Sequence, residues 1–137
     1  MQHGSQGNLV IRDSYNIGEI KKETVSICIG GIAGTSNGYN NSNVVFENCY
    51  NLGIVQSGGE SGAFYGARSS LGENSVLTFN NCYWTPNSGV EYGSYTESFR
   101  EQLIMMDDDL VELANKLGGE FVYDQKKEYP VLKWQVE

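Results

Sequence analysis

The chain has 137 residues, a length typical of one domain, and 39% of them are hydrophobic, which is enough to build a core. With 9 Lys and Arg against 17 Asp and Glu, the formal net charge is -8 at pH 7, whereas nucleic-acid-binding domains normally carry a basic surface, so nucleic acid is not an expected partner. His3 is the only histidine, which excludes His-based catalytic triads and His-rich zinc sites.

The beginning of the chain carries no targeting signal. Residues 1–7 contain little that is apolar and are expected to be a disordered start or a remnant of cloning. No apolar run approaches the roughly 18 residues of a membrane span, and no basic-then-apolar start indicates a signal peptide. We therefore expect this chain to be a piece of a larger protein whose targeting signal lies elsewhere.

A repeated pattern dominates residues 8–95. The segment Asp-Ser-Tyr-Asn-Ile-Gly-Glu-Ile at residues 13–20 recurs as Asn-Cys-Tyr-Asn-Leu-Gly-Ile-Val at residues 48–55, and a third copy begins as Asn-Cys-Tyr-Trp at residues 81–84. Each copy follows an apolar stretch, at residues 9–11, 44–46 and 76–79. Equivalent tyrosines are separated by 35 and 33 residues, which indicates a repeating unit of about 33 residues.

A second shared segment lies between these copies. Gly-Gly-Ile-Ala-Gly at residues 30–34 matches Gly-Ala-Phe-Tyr-Gly at residues 62–66. The linking segments at residues 35–43 and 67–75 are rich in Asn, Ser and Gly, which is typical of surface loops. Three short β-prone runs per unit favour a β-solenoid over a helical repeat. We predict a mainly β fold, a short parallel β-helix of about two and a half units.

In a parallel β-helix, equivalent residues of successive coils stack roughly 4.8 Å apart and form columns. The repeat predicts three such columns: Tyr15/Tyr50/Tyr83, Ser14/Cys49/Cys82 and Asn16/Asn51. Stacked Cys49 and Cys82 would be close enough for a disulfide, and extracellular proteins usually bridge their cysteines. However, a column that begins with Ser14 requires only a small residue, so we favour reduced thiols. Together with Cys28 the cysteines number 3 and cannot all pair, and none forms a Cys-x-x-Cys zinc or redox motif.

The carboxyl segment, residues 96–137, has a different pattern. Its apolar residues recur at helical spacing: Phe99, Leu103, Met106, Leu110, Leu113 and Leu117. This spacing predicts two short helices or one kinked helix over residues 97–118. The aspartate run at residues 107–109 is suited to cap the second helix and form its first turn, and the glycine pair at residues 118–119 is suited to end it.

We predict that this segment is a small α/β cap. A strand is expected around residues 120–124 and an extended piece over residues 129–135. The end of a solenoid exposes apolar side chains and an unpaired strand edge, and the apolar helix face is suited to cover the last coil. Tyr129 and Trp134 are expected to pack the returning tail, and a separate partner-binding helix is the alternative. The expected organisation is a start at 1–7, a solenoid at 8–95 and a cap at 96–137.

The repeats resemble a known family. The pattern Asn-Cys-Tyr-Asn-x-Gly-x-Val at residues 48–55, alternating with Gly-Gly-Ile-Ala-Gly at residues 30–34, is similar to the GLUG repeat of large bacterial surface proteins, which also accompanies IgA1-protease-type metallopeptidases. The ending Tyr-Pro-Val-Leu-Lys-Trp at residues 129–134 resembles the Tyr-Pro-x-Leu-x-Trp ending of such arrays, whereas Ala-Phe-Tyr at residues 63–65 departs from the small residues of the pattern. The resemblance implies a right-handed parallel β-helix on a cell surface, with no defined catalytic residues.

Two sets of residues are candidates for a ligand site. Asp107, Asp108 and Asp109 offer the carboxylates that calcium prefers, but they lack the spacing of a calcium loop, so helix capping is the favoured interpretation. The tyrosines assigned neither to the column nor to the cap are candidates for exposed glycan contacts: Tyr39, Tyr65, Tyr92 and Tyr95. No catalytic residue, metal ligand or cofactor is predicted, and the ligand-binding residues are left open.

The expected function is that of a non-catalytic structural or adhesive solenoid module of a bacterial surface or secreted protein, outside the cell or attached to its wall. A host or cell-surface protein or glycan is the expected partner, and end-to-end self-association is a further expectation because no amino-terminal cap is visible. Two alternatives stay open: a carbohydrate-binding or, less favoured, polysaccharide-cleaving β-helix, and an accessory domain of a surface protease. Cleavage would need carboxylates gathered on one face, and those before residue 97 fall mostly in different units.

Overall fold

The computed structural model describes residues 7–21, 28–34, 41–56, 58–67 and 74–136. Its strands are β1 Gly7–Arg12, β2 Tyr15–Asn16, β3 Cys28–Gly30, β4 Ser42–Asn51, β5 Glu60–Gly62, β6 Val76–Trp84, β7 Leu103–Met105, β8 Phe121–Asp124 and β9 Tyr129–Leu132. Its helices are the 3-10 helices Pro86–Ser88, Glu97–Gln102 and Lys133–Gln135 and the α-helix α1, Leu110–Leu117. Of the start predicted at residues 1–7, residues 1–6 lie outside the described residues, as does Tyr39, whereas Gly7 already belongs to β1.

The repeats form one parallel sheet, with strand order β1-β4-β6-β7 and β2 beside β4. Tyr15 pairs with Tyr50, while Tyr50 pairs with Tyr83 and Cys49 with Cys82. The predicted alignment of the repeats is therefore confirmed residue by residue. We call Tyr15, Tyr50 and Tyr83 the tyrosine column.

A second set of strands stacks in the same register. Strand β3 pairs with β5 in parallel, with Gly30 opposite Gly62, and the predicted match of residues 30–34 with residues 62–66 is thereby confirmed. Tyr65 bridges to Ala33 on one side and to Ser94 on the other. The sequence did not predict that the backbone at Ser94 stacks as a third layer on these strands, because the residues around it do not repeat the glycine spacing of the two earlier copies.

The backbone bends at an asparagine or aspartate that precedes the small residue of the serine and cysteine column, within β4 and β6 and directly after β1. Asp13, Asn48 and Asn81 have φ values of 52, 52 and 54°, in the left-handed region that these short polar residues tolerate best after glycine. Asn81 Nδ2 donates to Asn48 Oδ1 at 2.6 Å, and Asn48 Nδ2 donates to Asp13 Oδ1 at 3.4 Å. The bends are thus tied to one another by side chains, and we call these residues the bend column.

The first core lies between the large sheet and the stack of β3 and β5. Phe46 and Phe79 stack with ring centroids 5.1 Å apart, and they are in register on β4 and β6. Phe64 and Tyr65 meet Phe79 edge-on at 5.7 and 5.5 Å. Phe99 packs 5.7 Å from Phe79, so the 3-10 helix Glu97–Gln102 covers this core beside β6.

The prediction of two short helices or one kinked helix over residues 97–118 is confirmed in part and is wrong at Leu103–Met105. Residues Glu97–Gln102 form a 3-10 helix and Leu103–Met105 form β7, which pairs in parallel with β6 through Cys82 and Leu103. Backbone pairing with an exposed strand edge outweighs the helical spacing of the apolar residues here. The second half is confirmed as α1, and the strand expected at residues 120–124 is confirmed as β8, which pairs antiparallel with β9.

The carboxyl segment covers the tyrosine column rather than only the last coil. Leu113 and Leu117 of α1, with Phe121, form a second core with Tyr50 and Tyr83. Phe99 and Leu103 belong instead to the first core, so the predicted apolar face is divided between two cores.

Of the two residues predicted to pack the tail, Tyr129 does so and Trp134 does not. Trp134 is 66% exposed, so its predicted packing role is wrong. In the same 3-10 helix, Gln135 takes that place because its Oε1 accepts a hydrogen bond from the Tyr15 hydroxyl at 2.9 Å. Tyr129 does pack, with its ring 6.2 Å from that of Tyr15, as the sequence predicts.

Candidate functional site

The aspartate run caps a helix, as the favoured interpretation predicts. Asp109 Oδ1 accepts a hydrogen bond from the Glu112 amide at 2.9 Å, which satisfies one of the unpaired amides of the first turn of α1. Asp108 Oδ1 accepts from Asn87 Nδ2 at 2.7 Å. Across the described ranges, no group of three or more His, Cys, Asp or Glu is placed to hold a metal ion.

The paired cysteines are buried packing residues. Cys49 and Cys82 are both free thiols with no exposed surface, and their Sγ atoms donate to the Glu47 carbonyl at 3.2 Å and the Phe46 carbonyl at 3.3 Å. The hydrogen bond with Cys49 and burial together raise the pKa of the Cys82 thiol. The same hydrogen bond lowers the pKa of the Cys49 thiol, but both side chains are fully buried, so neither sulfur is accessible to a reactant from solution.

The exposed-tyrosine prediction is confirmed for two residues and wrong for one. Tyr92 and Tyr95 are 42% and 47% exposed. Tyr65 is fully buried, because its ring packs edge-on against Phe79 and Phe99 in the first core.

The backbone that carries the two exposed tyrosines is fixed by the stacked strands. The Ala63 amide donates to the Tyr92 carbonyl at 2.8 Å, and the Tyr95 amide donates to the Gly66 carbonyl at 3.2 Å. Between them, a Cβ atom at Gly93 would lie 2.7 Å from Nε1 of Trp84, so only glycine fits there. Hence a rigid segment presents Tyr92 and Tyr95 to solvent.

Arg100 completes this site and was missed by the sequence analysis. Its Nε donates to the Ser94 carbonyl and its Nη2 to the Tyr95 carbonyl, both at 3.0 Å. Its Cζ lies 3.6 Å from the centre of the Tyr92 ring, a cation–π contact. The sequence carries only a weak signal for this contact. Arg100 follows Tyr95 by five residues, but the apolar spacing predicted that it lies in a helix.

An open groove runs beside these residues. It has a volume of about 290 Å³, and Gly58, Gly59 and Ser61 line it together with Tyr92, Tyr95 and Arg100. Ser61 Oγ accepts from the Gly58 amide at 3.1 Å and donates to its carbonyl at 2.7 Å. Glu91 also lines the groove, so hydrogen-bond donors, acceptors and aromatic surface lie along one surface channel. We call it the tyrosine groove.

Comparison with known proteins gave no match to a family model, to a curated protein or to a solved structure. In the described part of the chain, no helix has both the length and the apolar character needed to cross a membrane.

Proposed function

We propose that this chain is a non-catalytic β-solenoid module, a short right-handed parallel β-helix of the GLUG-repeat type, in a bacterial surface or secreted protein. Its role is that of a stiff stalk or an adhesive surface, outside the cell or attached to its wall. Stacked coils give stiffness because every level is hydrogen-bonded to its neighbours, while connecting loops vary without disturbing the columns.

The observation that carries this proposal is the continuity of the columns. Leu9, Val44 and Leu77 are in register across three strands, and exposure falls from 54% at Leu9 to 3% at Leu77. In the tyrosine column, Tyr15 is half-buried whereas Tyr50 is fully buried. A fold whose interior positions are exposed at its β1 end is suited to accept a further coil there.

The non-catalytic part of the proposal is supported by where the shifted pKa values lie. Burial is the main cause that raises the pKa of Tyr50 and of Tyr83, and both belong to the second core. Enzymes concentrate perturbed titratable groups in clefts. Here, among the described residues, the pKa values that are shifted belong to Cys49, Cys82, Tyr50 and Tyr83, which are all buried inside the packed columns.

Duplication of one coil tests the proposal. A second copy of residues 43–75, inserted after residue 75, continues every column if the fold is a solenoid, because Asn43 pairs with Val76 in the native register. We expect one cooperative unfolding transition at higher denaturant concentration and an added set of slowly exchanging amides. The control is an insert of the same residues in scrambled order. Equal destabilisation by the two inserts would overturn the proposal.

A further inference from the structure

We propose that the tyrosine groove binds a neutral saccharide through Tyr95, Arg100 and Glu91. The inference rests on the proposed adhesive function and gives it a ligand class.

The aromatic part of the site is prepared for stacking. Arg100 covers the Tyr92 ring at 3.6 Å, whereas Tyr95 remains 47% exposed beside the groove. A tyrosine ring combines an apolar body with a polar end, which suits the C–H face and hydroxyl edge of a pyranose. Because hydrogen bonds to the stacked strands already hold this backbone, little conformational freedom is lost when a ligand binds.

The polar part of the site offers both donors and acceptors. Two carbonyls hold the Arg100 guanidinium, and its remaining N–H groups form no hydrogen bond or ion pair with the described residues. Glu91 provides a carboxylate and Ser61 a hydroxyl along the same groove. Vicinal sugar hydroxyls both donate and accept, so they match this mixture better than a ligand with acceptors alone.

The charge around Arg100 favours a neutral ligand over an anionic one. Glu97 and Glu101 line a second open groove that shares Arg100, and Glu91 lies on the other side. The whole chain carries a formal charge of -8, which repels anions. The open shape fits a chain end or an internal unit of an oligosaccharide.

The test titrates the full ¹⁵N-labelled chain with cellobiose, mannobiose and chitobiose, and with glucuronic acid as the anionic comparison. We expect a neutral disaccharide to shift the Gly93 and Tyr95 amides and the Arg100 Nε–H, with a Kd of about 1 mM. Saturation transfer should reach the C–H protons of the sugar ring. No shift with any neutral disaccharide, or stronger binding of glucuronic acid, would overturn the proposal.

Matched variants locate the site. Tyr95→Ala should weaken binding at least about tenfold, or ~1.4 kcal/mol, and Arg100→Lys should weaken it although the charge is kept, because lysine lacks the planar fork. Trp134→Ala removes an aromatic residue that is 66% exposed on the carboxyl segment and should bind as the parent does. Equal affinity of Tyr95→Ala and Trp134→Ala would refute the assignment.

Failure of this inference is distinguishable from failure of the proposed function. The coil duplication reports only on stacking, and its outcome does not depend on any sugar. If the duplicated coil stacks and no sugar binds, the module is a spacer without this site. If sugar binds and the coil does not stack, the groove stands and the solenoid proposal falls.

Discussion

At the scale of single residues, asparagine side chains connect the stacked strands. Asn16 Nδ2 donates to Asn51 Oδ1 at 2.8 Å, and Asn43 Nδ2 donates to Asn8 Oδ1 at 3.0 Å. Together with the bend column, these pairs form ladders of hydrogen bonds along the stack. Replacing one asparagine of a pair by a small apolar residue would leave the polar atom of its partner without that hydrogen bond. The Asn16/Asn51 column could be predicted from the repeat. The repeat also aligns the residues of the bend column, but it does not show that they adopt the left-handed conformation.

Asn51 should be the most costly of these asparagines to remove. It is fully buried, and its Nδ2 donates to the Ala63 carbonyl at 2.6 Å while its Oδ1 accepts from the Gly53 amide at 3.0 Å. Asn51→Ala leaves buried partners unsatisfied and should lower the free energy of unfolding by about 1–3 kcal/mol or more. Asn43→Ala, at an exposed position of the same strand, is the control in urea unfolding. Equal losses in the two variants would contradict the burial argument.

The burial of Tyr50 should make the free energy of unfolding depend on pH in the alkaline range. Burial, with Tyr15 and Tyr129 nearby, raises the pKa of Tyr50, and its hydroxyl donates to the Pro130 carbonyl. The native state therefore holds its proton where the unfolded chain, with a tyrosine pKa of about 10, has lost it. By linkage, the free energy of unfolding should fall as the pH rises above about 10.

Tyr50→Phe is the variant that checks this. It should lose about 1 kcal/mol at neutral pH through the missing hydrogen bond, yet decline less steeply above pH 10 (about the unfolded tyrosine pKa). Tyr95→Phe changes an exposed tyrosine and should keep the pH dependence of the parent in denaturant titrations. A parallel decline in Tyr50→Phe and the parent would show that Tyr50 does not govern it.

At the scale of elements, apolar spacing predicted α1 but misassigned β7. Leu113 and Leu117 face the second core from a true helix, while Leu103, at the same nominal spacing, pairs with Cys82 on a strand. Prediction of the tyrosine groove from the sequence was limited in the same way. Surface tyrosines could be proposed from composition, but whether Tyr65 is buried and where Arg100 lies depend on pairings between distant segments.

Asp109 should be the one residue of the aspartate run whose loss weakens α1. Its side chain accepts from the Glu112 amide at 2.9 Å, so Asp109→Ala should lower the free energy of unfolding by about 1 kcal/mol, typical of a lost N-cap. Asp107→Ala removes an exposed carboxylate of the same run and is the control. Equal losses of stability in the two variants, or stabilisation of the parent by added calcium, would contradict the capping interpretation.

At the scale of the whole molecule, the carboxyl segment braces successive levels of the stack. The Tyr15 hydroxyl donates to Gln135, the Tyr50 hydroxyl to the Pro130 carbonyl, and Asn81 Nδ2 to the Lys116 carbonyl at 3.1 Å. The segment thus ties the first level to the third along one flank. The six-residue strand β1 forms the longer of the two edges of the large sheet.

That edge leads to the prediction that the protein associates through β1. The strand lies at one end of the order β1-β4-β6-β7, and Leu9 and Val10 are 54% and 42% exposed. Natural proteins protect such edges with charge, proline or pairing, and here Arg12 is already paired with Glu47 at 3.6 Å. Among residues 9–11, the amides that point away from β4 should exchange fast in dilute solution and become protected as protein concentration rises.

Hydrogen exchange across a concentration series measures this directly, with the amides of Val44 and Val45 on β4 as the internal control. They lie between two paired strands and should be protected at every concentration. Leu9→Lys places a charge on the exposed edge and should abolish the concentration dependence, because burying an unpaired ammonium at a strand interface is costly. Strong protection of the outward-pointing amides of residues 9–11 in a dilute monomer would contradict association, since it would mean that a segment of the same chain already covers the edge.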